Sequence, residues 1–155
     1  MMRIAYLCDH ISFADTVARW IFDEFISGIR NDLPYENVLA SFKNCRRQEF
    51  PIRFIALIDD QCIGTVSLVF NDLKCREYTP WLAALYVDKN FRNKKIGERL
   101  ISRVKNAAMQ LGYSRVYLRT EHTGDYYRKS GREYVETCDD NFDLKPDVFV
   151  FNLVK

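Results

Sequence analysis

A chain of 155 residues, 48% hydrophobic and 14% aromatic, has enough apolar surface for one packed core and no room for a second catalytic domain. Its 23 Lys and Arg nearly balance 21 Asp and Glu, which argues against a polycation that coats nucleic acid. No apolar run approaches the roughly 18 to 20 residues of a membrane span, and MMRIAYLCDH lacks the apolar centre of a signal peptide. The expectation is one soluble, cytoplasmic domain over residues 1–155, with neither nucleic acid nor membrane as partner.

In chain order, residues 3–8 read as a short strand, and Ser12-Phe-Ala-Asp15 has the form of a capping box opening a helix. Ala14, Val17, Ala18, Ile21, Phe25 and Ile29 recur at helical spacing, which carries that helix to Ser27-Gly28. A weaker second helix comes after Pro34, over residues 35–47. Residues 50–58 and 62–70 are rich in β-formers and joined by Asp59-Asp60-Gln61, the pattern of an antiparallel hairpin. After a polar loop, 71–80, the unbroken apolar run 81–87 reads as a central strand covered on both faces. Ile96, Leu100, Ile101, Val104, Ala108 and Leu111 line one side of a helix that ends at Gly112. Next come a strand at 115–119, a short helix at 123–130 stopped by Gly131, and strands at 134–138 and 148–154. The order β-α-α-β-β-β-α-β-α-β-β predicts an α/β (α+β) fold. Cys8, Cys45, Cys62, Cys75 and Cys138 are odd in number and form no CxxC pair, which predicts reduced core thiols and no zinc site.

The positive charge is local. Seven residues from Lys89 to Lys105 are basic, and they straddle the junction between the central strand and the next helix. A helix N-terminus leaves about four backbone N–H groups unpaired and carries partial positive charge, so it binds phosphate without special side chains. Arg92 and Lys94 add charge-assisted contacts, and Gly97 lets a ligand approach the backbone closely. The junction is therefore a pyrophosphate cradle, open on these grounds to any nucleotide-like cofactor.

The same residues resemble a known family. Val87-Asp-Lys-Asn-Phe-Arg92-Asn-Lys-Lys-Ile-Gly97, followed by Glu98-Arg99-Leu100-Ile101, looks like the acetyl-CoA-binding motif (Q/R)xxGx(G/A) of the GNAT superfamily of N-acetyltransferases. Tyr117-Leu-Arg-Thr120, then Tyr126-Tyr127-Arg-Lys-Ser-Gly131, looks like that family's second signature, a strand followed by a helix bearing FYxKxGF. Thr79-Pro80-Trp81-Leu82-Ala83 is also similar to a bacterial subgroup of the same superfamily. Two positions depart from the pattern: Lys95 replaces the first motif glycine, and Arg132 the aromatic after Gly131. Outward, the Lys95 ammonium meets a phosphate; inward, it blocks the cradle.

The resemblance implies a mostly antiparallel sheet flanked by helices, acetyl-CoA as co-substrate, no metal, and transfer of an acetyl group to a primary amine by direct attack on the thioester. A small-molecule amine is the expected acceptor, with a homodimer as a common assembly in the family. The alternatives are a CoA-binding protein without catalysis and a transferase of longer acyl groups. Carried over by position, Leu85, Tyr86 and Val87 pair with the pantetheine arm, the N–H groups of Arg92, Asn93, Lys94, Lys95, Ile96 and Gly97 hold the pyrophosphate, and Thr120 adds a cofactor contact. Tyr127 stands at the general-acid position, with packing as its other reading. For the base, Glu121, His122, Asp72 and Glu77 are candidates. The first two helices, the 71–80 loop and the acidic segment from Asp139 to Pro146 are expected to select the substrate, with Trp81 against the pocket or core and Trp20 in the core.

Overall fold

The structure, a computed structural model, describes residues 1–120, 132–139 and 145–153. One seven-stranded sheet runs through them, built from β1 (Met2–Tyr6), β2 (Ile52–Ile58), β3 (Gln61–Val69), β4 (Trp81–Val87), β5 (Arg115–Thr120), β6 (Glu133–Thr137) and β7 (Asp147–Asn152). The spatial order is β1-β2-β3-β4-β5-β7-β6. Every pairing is antiparallel except β4 with β5.

Period-two alternation sends the two faces of the sheet into different cores. Phe54, Ala56, Val66 and Leu68 meet α3 (Ile96–Gln110) through Ile96, Leu100, Val104 and Ala108. Ile55 and Leu57 meet α1 (Ala14–Ile21) and α2 (Tyr35–Lys43) through Val17, Ile21, Val38 and Phe42. Arg53, only 6% exposed, fastens α2 to the sheet: it donates to Ser67 Oγ at 2.7 Å and Ser41 Oγ at 3.0 Å and lies over the Phe42 ring. Burial pushes its guanidinium down to about 10.

Several predicted boundaries move. No capping box forms: two 3₁₀ turns lead into α1, its N-cap Phe13 carries no side-chain cap, and Asp15 instead accepts from Tyr35 Oη. α1 stops at Ile21 and passes into a π-helical turn, Phe22–Ile26, closed by Ser27 N–H donating to Phe22 C=O at 2.7 Å. The i→i+5 turn inserts a residue and rotates the downstream side chains off the buried stripe, so Phe25 and Ile29 are exposed. α2 ends at Lys43 rather than 47, because the polar residues beyond bond elsewhere: Arg46 N–H to Pro51 C=O, and Arg47 to Asp9. The hairpin turn is Asp59-Asp60, with Asp59 at φ 54°, and Gln61 already belongs to β3. β6 and β7 each begin one residue early. α3 ends two residues before Gly112, whose φ of 92° is the left-handed geometry expected there. The helix predicted at 123–130 lies outside the described residues. Cys62 and Cys138 are buried as expected, Cys8 and Cys45 are half-buried, and Cys75 is exposed.

Candidate functional site

β4 is the middle strand, but its pairing along one edge is incomplete. It joins β5 only at Trp81 and Tyr117, where Tyr117 N–H also donates to Pro80 C=O at 2.9 Å. Beyond that point no further register pair links the two strands among the described residues, and they part as a wedge. A bulge in β4 helps to open it: Thr65 faces Tyr86 and Ser67 faces Ala83, so Ala84 and Leu85 together oppose Val66. Ala84 takes φ 56° to make that step. The backbone from Leu85 to Val87 is left along the open side. Nothing in the apolar run Trp81–Val87 announces the bulge, because alanine is not a usual left-handed residue.

The wedge leads to the start of α3. Asp88 caps the intervening 3₁₀ turn by accepting from Asn90 N–H at 3.0 Å. Asn93 and Lys95 then both adopt left-handed φ, 65° and 63°, and Lys95 is the N-cap of α3. This explains why a glycine suits that motif position, and why Lys95 there is strained. A lysine side chain has no acceptor atom, so the first-turn amides of Ile96, Gly97 and Glu98 receive no cap from it. Ile96 and Leu100, 5% and 0% exposed, anchor the helix beneath them.

Between the end of β4 and this helix start lies a cleft of about 520 Å³, within the range of small-molecule sites. Leu85, Tyr86, Val87, Arg92, Asn93, Lys95, Ile96 and Gly97 all border it, so most of the predicted cofactor residues converge. A Cβ built on Gly97 would have only Val87 Cγ2 within 4.0 Å, so any side chain there would stand in the cleft. That free cradle with its uncapped amides fits a phosphate. Two predicted members do not border it. Lys94 turns its Nζ over the Phe91 ring at 5.5 Å, and Thr120 sits at the end of β5, paired in register with Asp147. Arg92 is occupied in this state. Its Nε donates to Val87 C=O at 2.9 Å, and its guanidinium lies 5.2 Å from the Tyr86 ring, which stacks in turn on Trp20. The carbonyl of Val87 thus already accepts one hydrogen bond.

Tyr127, Glu121 and His122 lie outside the described residues, as do Tyr126 and residues 140–144 of the acidic segment. Asp72 and Glu77 do not border the cleft. Their loop is clasped to β6 by Arg76, whose Nε and Nη2 each donate to Glu136 at 2.8 Å, and by Tyr78 Oη donating to the same carboxylate at 2.5 Å. These bonds, Arg76 first, hold the Glu136 carboxyl down at about 2. Trp81 is core, 0% exposed, with Nε1 donating to Tyr78 C=O. Trp20 is partly buried, packs against the core formed by α1, α2 and the sheet, and stacks on Tyr86. Sequence reasoning also missed Glu24 and Phe25, which border the cleft from the π-helical turn. An uninterrupted 3.6-residue period sets Phe25 in one row with Val17, Ala18 and Ile21.

Comparison with known proteins bears on this geometry. The profile of the Acetyltransferase (GNAT) family matches residues 14–131. No curated protein matches the chain. Among solved structures, an aminoglycoside 6'-N-acetyltransferase complexed with coenzyme A is 15% identical at a TM-score of 0.75, covering 99% of this chain and 98% of that one. A GNAT-family acetyltransferase from Staphylococcus aureus Mu50 is 19% identical at 0.73, over 99% and 100%. YncA, a putative acetyltransferase from Salmonella typhimurium with its cofactor acetyl-CoA, is 16% identical at 0.68, over 100% and 95%. These likenesses show a common fold. With the family profile spanning most of its length and the parted β4 and β5 at its centre, this chain belongs to the GNAT acetyltransferase family.

Proposed function

We propose that the protein, as one domain, is an N-acetyltransferase that takes its acetyl group from acetyl-CoA and delivers it to a primary amine of a small molecule. The observation that carries the reading is the wedge beside β4, opening directly onto the uncapped amides of α3. Bound acetyl-CoA would supply a thioester whose carbonyl is activated toward an amine. Leu85, Tyr86 and Val87 offer the edge of β4 that β5 leaves open along its arm, with the Val87 carbonyl shared with Arg92. Ile96, Gly97 and Glu98 offer N–H groups at the positive end of a helix, where a pyrophosphate is stabilised by direct hydrogen bonds and by the dipole. Arg92 and Lys95 add charge at the rim.

Tyr127 is the proposed general acid, giving its phenolic proton to the leaving sulfur. A phenol near pKa 10 and a thiol near about 8.5 make that transfer only mildly uphill. Glu121 or His122, just past β5, is the proposed base for the ammonium, acting directly or through water. The full-length likeness to solved aminoglycoside acetyltransferases supports a small-molecule acceptor.

Calorimetric titration with acetyl-CoA, followed by thiol release over an amine panel, tests the reading. Binding below millimolar concentration with amine-dependent release is expected, and Tyr127→Phe should slow turnover by about 100-fold. No binding at millimolar cofactor would sink it. Binding without release would leave a non-catalytic CoA protein, and faster release from longer acyl-CoAs would reassign the donor.

A further inference from the structure

The cleft has two walls of opposite sign. On the α3 wall stand Arg92, Lys95 and the first-turn amides, with Glu98 as the acidic residue among them. On the facing wall, the π-helical turn presents Glu24 and Phe25. Among the described residues no cation pairs with Glu24, although the adjacent Asp23 pairs with Arg19 at 3.9 Å. Phe25 is 45% exposed, an aromatic ring left partly open beside that carboxylate.

The cofactor does not account for this wall. A carboxylate repels pyrophosphate, so Glu24 in the same cleft weakens cofactor binding unless a cation comes between. The π turn is what puts it there: with a regular helix, Phe25 would continue the buried stripe of Val17, Ala18 and Ile21. Single π turns mark functional sites often enough for the deviation to be informative. Behind Phe25, the stacked pair Trp20 and Tyr86 extends the aromatic surface, with Tyr86 itself bordering the cleft.

We propose that Glu24 and Phe25 form the acceptor wall and select a singly charged primary ammonium with an apolar alkyl or arylalkyl body. Glu24 holds the ammonium and Phe25, with Tyr86, covers the body. One carboxylate and two rings offer little to a polyhydroxylated polycation, which needs several acceptors to replace its lost hydration. The inference rests on the proposed N-acetyltransferase reading and narrows its substrate class.

The test uses the full chain saturated with acetyl-CoA, with hexylamine, 2-phenylethylamine, spermidine and an aminoglycoside as acceptors, read by thiol release. Hexylamine and 2-phenylethylamine should be preferred in kcat/KM by about tenfold or more. Glu24→Gln should raise KM for both by about 5- to 20-fold. Phe25→Ala should raise KM more for 2-phenylethylamine than for hexylamine. The Kd for CoA should not weaken in either variant. A preference for spermidine or the aminoglycoside, or an unchanged KM in Glu24→Gln, overturns the proposal while leaving the transferase reading intact. So does CoA binding without turnover or calorimetric binding of any of the four amines. Failure to bind CoA at all overturns both.

Discussion

Replacing Lys95 by glycine separates two effects that the turn before α3 combines. Lys95 sits at φ 63°, ψ 19°, and an L-residue in that region carries about 1–2 kcal/mol of strain. Glycine relieves it but adds roughly 0.4–1 kcal/mol of chain entropy to the unfolded state. The difference favours Lys95→Gly by about 0.5–1 kcal/mol, a rise in Tm of roughly 1–4 °C for a domain of this size. Cofactor affinity should move the other way. Lys95 is exposed at the rim, so loss of its ammonium should weaken CoA about two- to fivefold, an effect that fades at high salt. Lys95→Ala removes the charge and keeps the strain, so it should match the glycine variant in affinity but not in stability. Thermal unfolding and calorimetric titration of the three proteins read both quantities. If Lys95→Gly is no more stable than the parent, the strain argument fails. If it binds CoA more than about tenfold tighter, Lys95 was obstructing the cradle and its assignment to the rim is wrong.

Gly97→Val should cut CoA affinity by at least about tenfold while the protein stays folded, since the side chain enters the cleft and meets little else; titration alongside thermal unfolding checks both halves. The clasp at Glu136 predicts a pH dependence. Its folded carboxyl lies at about 2, below the usual 4.5, so its contribution is complete above the unfolded value and is lost as pH falls from about 4.5 toward 2. The Tm gap between parent and Glu136→Gln should therefore be constant above about pH 4.5 and close below it; a gap unchanged down to pH of about 2 would refute the clasp. Trp81→Phe leaves a void and the Tyr78 carbonyl without its donor, which should cost about 1–3 kcal/mol by denaturant titration. CoA affinity should be unaffected, because Trp81 is core and does not border the cleft.

The strands and the α3 stripe were legible because their apolar periods are long and their stops are chemical: Gly112 after α3, Asp59-Asp60 between β2 and β3. The junction of β4 and α3 was legible for the same reason, since a helix start soon after a strand has only a few arrangements. What escaped reading involved local breaks in period. The π turn at Phe22–Ile26 looks like more α-helix in any 3.6-residue count, so Glu24 and Phe25 were missed. The bulge at Ala84 and Leu85 hides inside an unbroken apolar run, because tertiary pairing with Val66 rather than residue type imposes it. The capping box at Ser12 failed through competition: Tyr35, distant in sequence, takes Asp15 as its acceptor.

The central claim is that a CoA lies along the open side of β4 with its pyrophosphate on the first turn of α3. Amide hydrogen exchange with and without CoA addresses it residue by residue. The account predicts new protection at residues 85–87 and 96–98, with β1 and the hairpin of β2 and β3 unchanged. Saturating CoA with no added protection in either segment, or with protection confined to another part of the sheet, would contradict it.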